Sequence, residues 1–121
     1  MAQNKSNLNV ILRDHFYFSN ILEEERAEIL KKMKLCGVQN NQYVFKQGDP
    51  ATAFFIVQEG SLQVEINGQP KKILRKGEYF GELALIYMAP RSASIKALSP
   101  CLLWYLTRQD FKKTLENTVK A

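Results

Sequence analysis

The chain has 121 residues, with 45% hydrophobic and 24% charged residues, which suits one globular domain with a single core. Its net charge of +5 is spread along the chain, a pattern typical of a solvated surface or of small anionic ligands, so we expect no nucleic-acid partner. Neither an apolar run near the ~20 residues of a membrane span nor a signal-peptide block is present, so we expect a cytoplasmic protein without a membrane span.

Histidine and cysteine usage argues against metal or triad chemistry. His15 is the single histidine, so nothing can cluster with it, and we predict neither a metal site nor a Ser-His-Asp site. Cys36 and Cys101 lie far apart in no metal-like spacing. Free thiols in a reducing compartment are the expectation, and one disulfide stays open as the alternative.

The first third of the chain has helical periodicity, which predicts helices over about residues 9–35. Asn20 followed by Glu23 indicates a capping box at a helix start. Gly37 is placed to end the last of these helices.

Residues 38–107 consist of short apolar segments separated by turn residues, which predicts strands. The segment SLQVEI alternates as a half-buried strand does, and Asn67-Gly68 after it predicts a two-residue hairpin turn. Helical spacing returns over 108–119. The order predicts a single mainly β domain over 1–121, a sandwich, jelly roll or small barrel with helices at its ends.

One segment, FGELALIYMAPRSA, places a carboxylate and a guanidinium at opposite ends of an apolar stretch. Gly81 permits close backbone approach, and the helical turn that follows would offer free N–H groups to an anion. Arg91, after the stiff Pro90, can hold two phosphate oxygens. Glu82 has the wrong sign for an anion and fits only a hydroxyl on the same ligand. The simpler alternative is a Glu82–Arg91 salt bridge that braces a loop.

The longer segment FGELALIYMAPRSASIKA resembles the phosphate-binding cassette of cyclic nucleotide-binding domains in cAMP-dependent and cGMP-dependent protein kinases. The resemblance extends over about residues 14–116. It implies an α+β, mainly β fold: an eight-stranded antiparallel β-roll, similar to a jelly roll, flanked by N- and C-terminal helices.

The resemblance also implies roles for residues of this chain. Arg91 would bind the exocyclic oxygens of the cyclic phosphate, and Glu82 would accept a hydrogen bond from the ribose 2′-OH. Backbone N–H groups of Leu83, Ala84 and Ala93 would complete the anion cradle. The implied ligand-binding residues are Gly81, Glu82, Leu83, Ala84, Arg91, Ser92 and Ala93, with no catalytic residue, no cofactor and no metal.

Ser92 bears on the choice between cGMP and cAMP. In the resembled kinases this position is usually Ala where cAMP is preferred, and Thr or sometimes Ser in cGMP-dependent kinases. A hydroxyl can accept from the guanine 2-amino group, which adenine lacks, so we expect cGMP to be favoured. The alternative is that Ser92 contacts only phosphate and both nucleotides bind.

The output implied by the resemblance is a switch without chemistry in this chain. Ligand would draw the cassette inward, Leu85 would repack, and the helix after the roll would move and regulate a kinase catalytic domain or subunit. Other functions compete with this one. The module could be a cAMP-binding domain of a cAMP-dependent kinase or of an ion channel, or part of a bacterial-type transcription factor, which would need a helix-turn-helix after the roll. A cupin-like enzyme would need clustered metal ligands that one histidine cannot supply, and the last alternative is a scaffold that binds no ligand.

Overall fold

The described chain, residues 5–15, 18–87 and 89–119 of a computed structural model, folds into two stacked sheets with helices on one side. Three α-helices are present in these residues: α1 Ser6–Asp14, α2 Glu23–Lys32 and α3 Arg108–Val119. Two short 3-10 helices cover Phe18–Asn20 and Glu82–Leu85. The eight strands are β1 Lys34–Val38, β2 Tyr43–Phe45, β3 Ala53–Glu59, β4 Leu62–Ile66, β5 Gln69–Leu74, β6 Tyr79–Phe80, β7 Ser94–Ala97 and β8 Cys101–Thr107.

The strands form two four-stranded antiparallel sheets. The first sheet has the order β1-β8-β3-β6, and the second has the order β2-β7-β4-β5. The prediction of an eight-stranded antiparallel, mainly β fold with helices at both ends is confirmed.

The first sheet is covered on both faces, which follows from the two-residue period of its strands. On β8, Leu103 faces the second sheet, whereas Trp104 and Leu106 face the helices. The helix-side cluster comprises Leu8, Leu12, Phe18, Ile29, Met33, Phe54, Ile56, Leu85, Trp104, Leu106 and Phe111. The inter-sheet cluster comprises Val57, Leu62, Leu74, Phe80, Ile95, Ala97, Cys101 and Leu103. The two clusters meet near the end of β6. Phe80, the last residue of β6, belongs to the inter-sheet cluster, and Leu85, in the 3-10 helix that follows, belongs to the helix-side cluster.

The helical region differs in detail from the prediction over residues 9–35. The N-cap of α2 is Leu22, whose N–H donates to the Glu25 carboxylate at 2.9 Å, so the capping box predicted at Asn20 was wrong. The helix ends at Lys32 and β1 then begins at Lys34. Residues 16 and 17 of the predicted region lie outside the described residues.

Gly37 does not end a helix, which corrects the second helical prediction. It lies within β1, opposite Leu102 of β8. The pairing of β1 with β8 runs from Lys34 opposite Tyr105 to Val38 opposite Cys101. This partner is distant in the sequence, so local periodicity alone does not reveal the strand.

The hairpin at Asn67-Gly68 has the predicted form. Both residues have positive φ (53° and 78°), as a two-residue turn between antiparallel strands requires. The transition from β8 to α3 falls at Arg108, where the sequence predicted it. The two cysteines are free thiols, and burial raises the pKa of Cys36.

Candidate functional site

A cavity of about 530 Å³ opens between the second sheet and the segment 80–93, which has Glu82 near one end and Arg91 near the other and which we call the cassette. Its size lies within the usual range of small-molecule pockets. All seven residues predicted from the sequence to bind ligand line it: Gly81, Glu82, Leu83, Ala84, Arg91, Ser92 and Ala93. The fold therefore brings both ends of the cassette to one cavity.

The first end of the cassette is a sharp turn into a short helix. Gly81 has φ 78° and ψ 18°, a left-handed conformation that other residues adopt at a cost. A Cβ added at Gly81 would lie 2.7 Å from Nη1 of Arg91. Glycine is therefore required here by backbone conformation and by the guanidinium beside it. The 3-10 helix Glu82–Leu85 follows, and we call it the cassette helix.

The second end of the cassette is fixed by its backbone to the turn after β2. The Arg91 N–H donates to the carbonyl of Asp49 at 2.8 Å, and the Arg91 carbonyl accepts from the N–H of Gly48 at 2.8 Å. Pro50 and Pro90 form a bridge directly beside these bonds. This strand-like pairing thus fixes the main chain of the arginine to the turn.

The guanidinium of Arg91 is buried and forms no salt bridge with a carboxylate among the described residues. The residue is only 8% exposed. Its Nη2 donates to the carbonyl of Ala53 at 2.7 Å, and its Cζ lies 3.9 Å from the centre of the Phe45 ring. Its Nε is buried and meets no hydrogen-bond acceptor among the described residues. Burial lowers the pKa of this guanidinium from its ordinary value, and the Asp49 carboxylate acts in the opposite direction.

Glu82 makes no salt bridge with Arg91. Within the described part of the chain, one ion pair is found, between Lys31 and Glu28 at 3.3 Å. The brace between Glu82 and Arg91 that the sequence left open is therefore not formed. Glu82 instead lies close enough to His15 for its carboxylate to raise the pKa of that imidazole, against the larger effect of burial, which lowers it.

The backbone donors of the cassette are not all available. Ala84 donates its N–H to the carbonyl of Gly81 at 3.0 Å, which closes the cassette helix. No backbone acceptor is found within the described residues for the N–H groups of Leu83 and Ala93. Of the three predicted cradle donors, two have no backbone partner in the part of the chain that the structure describes, and one is engaged.

The cassette helix also contacts the C-terminal helix α3. Leu85 from the cassette helix and Phe111 from α3 are both nearly fully buried in the helix-side cluster. A shift of the cassette helix would therefore change the packing of α3.

Several wall residues of the cavity were not predicted from the sequence. Phe45 from β2, Val64 from β4 and Lys72 from β5 line it although they precede the cassette in the chain. Lys72 lies opposite Val64 in the hairpin of β4 and β5. Only the sheet order, with β5 at the edge beside β4, brings this lysine to the cavity, so no local signal identifies it.

Within residues 5–15, 18–87 and 89–119, no helix is long and apolar enough to span a membrane. In this same part of the chain, no group of three or more His, Cys, Asp or Glu side chains is placed to hold a metal ion.

The sequence of the chain is similar to those of cyclic nucleotide-dependent protein kinases and their regulatory subunits. The chain is 33% identical over 94% of its length to a cAMP-dependent protein kinase regulatory subunit of Yarrowia lipolytica. It is 35% identical over 87% of its length to a cGMP-dependent protein kinase of Plasmodium berghei. The chain spans 30% of the first relative and 12% of the second.

Comparison of structures and family models agrees with these relatives. The regulatory domain of Toxoplasma gondii PKA, solved with cAMP, superposes with a TM-score of 0.80 at 32% identity. That match covers 93% of this chain and 46% of the other. The model of the family described as "Cyclic nucleotide-binding domain" matches residues 37–118, more than half of the chain. The chain therefore belongs to the cyclic nucleotide-binding domain family.

Proposed function

We propose that this chain is a regulatory module that binds cGMP in preference to cAMP and switches a protein kinase through its C-terminal helix α3. The buried guanidinium of Arg91 is the observation that carries the proposal. A desolvated cation without a carboxylate partner is costly, and an incoming phosphate would supply the missing charge. Nε would give that phosphate a donor, and the open N–H groups of Leu83 and Ala93 would add two more.

Glu82 would bind the ribose in this proposal. It lines the cavity and is not neutralised by Arg91, so its carboxylate can accept from a 2′-hydroxyl. Such a charge-assisted hydrogen bond is stronger than a neutral one.

The switch would begin at Ala84. To donate to phosphate, its N–H has to leave the carbonyl of Gly81, which opens the cassette helix. Leu85 would follow, and Phe111 of α3 would repack against it. The equilibrium would shift only as far as the two positions of α3 differ in ligand affinity.

Two cavity residues support the preference for cGMP. The hydroxyl of Ser92, exposed at the cavity, can accept from the guanine 2-amino group. The ammonium of Lys72 can donate to guanine O6 or N7, where adenine presents an amino group beside N7. A neutral hydrogen bond contributes about 0.5–1.5 kcal/mol net, so Ser92 alone favours cGMP by up to about tenfold.

A cAMP-regulated kinase module is the second candidate, because relatives of that kind are found beside the cGMP-dependent kinases. Two fungal regulatory subunits of cAMP-dependent kinase are 33% and 34% identical to this chain. The same cavity would then take adenine, with Ser92 directed to the phosphate alone. A kinase catalytic domain or subunit is the proposed partner in both cases.

Calorimetric titration of cGMP and of cAMP into the chain tests the proposal. We expect cGMP to bind several-fold tighter, and Ser92→Ala to reduce the ratio of the two affinities. Ser94→Ala is the matched control, because the Ser94 hydroxyl accepts from the Gln47 N–H and this serine is absent from the cavity wall. It should leave the ratio of the two affinities unchanged.

The other outcomes are equally informative. Equal or tighter binding of cAMP, unaffected by Ser92→Ala, would transfer the chain to the second candidate. Binding of neither nucleotide at millimolar concentration would overturn both.

A further inference from the structure

Phe45 is in direct contact with the guanidinium of Arg91, a contact that the sequence did not predict. The Cζ of Arg91 lies 3.9 Å from the centre of the Phe45 ring, which is the thickness of one van der Waals contact. Both residues line the same cavity. The ring is therefore a wall of the proposed anion site and a surface beneath its cation.

The ring face answers an electrostatic need of this cation. The guanidinium is buried and is not paired with a carboxylate within the described residues. Its compensating contacts are one carbonyl, that of Ala53 at 2.7 Å, and the face of Phe45. An aromatic face carries partial negative charge and attracts a guanidinium most strongly where water is excluded.

Phe45 is itself held in place from two directions. Its backbone pairs with Ile95 of β7 across the second sheet. Its ring centre lies 6.0 Å from that of Phe55 and 5.9 Å from that of Phe80, and these two rings stack on each other at 5.1 Å and 11°. A ring fixed in this way can fix the plane of the group that rests on it.

We propose that Phe45 is a positioning residue that orients and stabilises the Arg91 guanidinium for anion binding through its ring face. This inference rests on the proposed function, because it assigns the anion to a cyclic nucleotide phosphate. With Nη2 tied to Ala53 and the ring against the guanidinium, the plane of the guanidinium is set before ligand arrives. The Arg91 side chain then loses less conformational freedom when the ligand binds, which favours affinity.

Affinity for cGMP and cAMP, measured by calorimetry on three variants, tests this role. Phe45→Leu keeps an apolar side chain but removes the ring face, and should lower the affinity for both nucleotides about tenfold. Phe45→Tyr keeps the ring face and should stay within about threefold of wild type. Phe55→Leu is the matched control: it removes the same ring from the same aromatic cluster, outside the cavity wall, and should also stay within about threefold.

A second measurement requires no variant to bind. In the nucleotide-free wild type, the Arg91 Nε proton should resonate upfield of an ordinary arginine, because it lies near a ring face, and Arg91→Gln assigns the signal. An ordinary resonance position would overturn the contact.

Equal losses in Phe45→Leu and Phe55→Leu would reduce Phe45 to packing and overturn the proposal, as would wild-type affinity in Phe45→Leu. If the wild type binds neither nucleotide, the proposed function fails and this inference fails with it. If the wild type binds and the variants do not differ, only this inference fails.

Discussion

The two ends of the cassette are built differently, although both line one cavity. At the arginine end, Arg91 is buried, its backbone is bonded to Gly48 and Asp49, and its guanidinium rests between Ala53 and Phe45. At the glutamate end, Glu82 is half-buried on a helix of four residues, and no described residue donates a hydrogen bond to its carboxylate. One end is fixed by the scaffold, whereas the other lies on an element that can move.

This difference suits a switch. The fixed end would capture the anion and supply most of the affinity, since its donors need little reorganisation. The other end would respond, because the cassette helix packs against α3 through the cluster that contains Leu85 and Phe111. Ligand contacts made only after the cassette helix opens are the ones that shift the equilibrium.

Arg91→Gln should have the largest effect on binding. We expect affinity for both nucleotides to fall at least about a hundredfold, because the variant removes one partner of a buried charge pair. The free energy of unfolding should change by less than about 1 kcal/mol, since the lost hydrogen bond to Ala53 is offset by the removal of a desolvated charge. Calorimetry and urea unfolding measure the two quantities. A variant that unfolds easily and binds normally would show that Arg91 serves the fold and not the ligand.

Glu82→Gln should have a smaller effect, about five- to tenfold, because the amide oxygen still accepts a hydrogen bond without the charge. This loss of affinity should be seen with cGMP and should nearly vanish with 2′-deoxy-cGMP, which lacks the 2′-hydroxyl donor. Glu59→Gln, an exposed carboxylate at the end of β3, is the control. If Glu82→Gln lowers affinity as much as Arg91→Gln does, or lowers the affinities for cGMP and 2′-deoxy-cGMP equally, the contrast between the two ends does not hold.

The same contrast explains how much the sequence could predict. The gathering of the seven predicted ligand-binding residues at one cavity was predictable, because they lie close together in the sequence, and all seven line that cavity. The strands with local turn signals were predictable too, such as β4 and β5 around Asn67-Gly68. What escaped prediction depends on partners distant in sequence.

Three residues illustrate that limit. Gly37 has a local signal for a helix end, but pairing with Leu102 of β8 places it in a strand. Phe45 has the pattern of an ordinary strand residue, and only the return of the chain at Arg91 gives its ring a cation. The engaged N–H of Ala84 depends on whether the cassette helix is closed, which a residue pattern does not specify.

The smallest expected effect concerns His15, which reports on the glutamate end alone. Its imidazole packs against Tyr79 with ring centres 4.1 Å apart, and burial lowers its pKa, while Glu82 raises it. Because the folded pKa is lower than the unfolded value, the unfolded chain takes up the proton first. The neutral His15 therefore contributes to the free energy of unfolding above pH 6.5. This contribution should be lost as the pH falls from about 7.5 to 5.5, a window in which carboxylates do not titrate.

Two variants separate the causes of that pH dependence. His15→Phe should remove most of the fall in Tm between pH 7.5 and 5.5, since the chain has no other histidine. Glu82→Gln should lower the His15 pKa further, as read from its single set of ring-proton resonances, whereas Glu59→Gln should leave it in place. If Glu82→Gln leaves the His15 pKa unchanged, the Glu82 carboxylate is turned away from the helices in solution. The glutamate end would then have no electrostatic link to the N-terminal helices, and packing through Leu85 would have to carry the whole response.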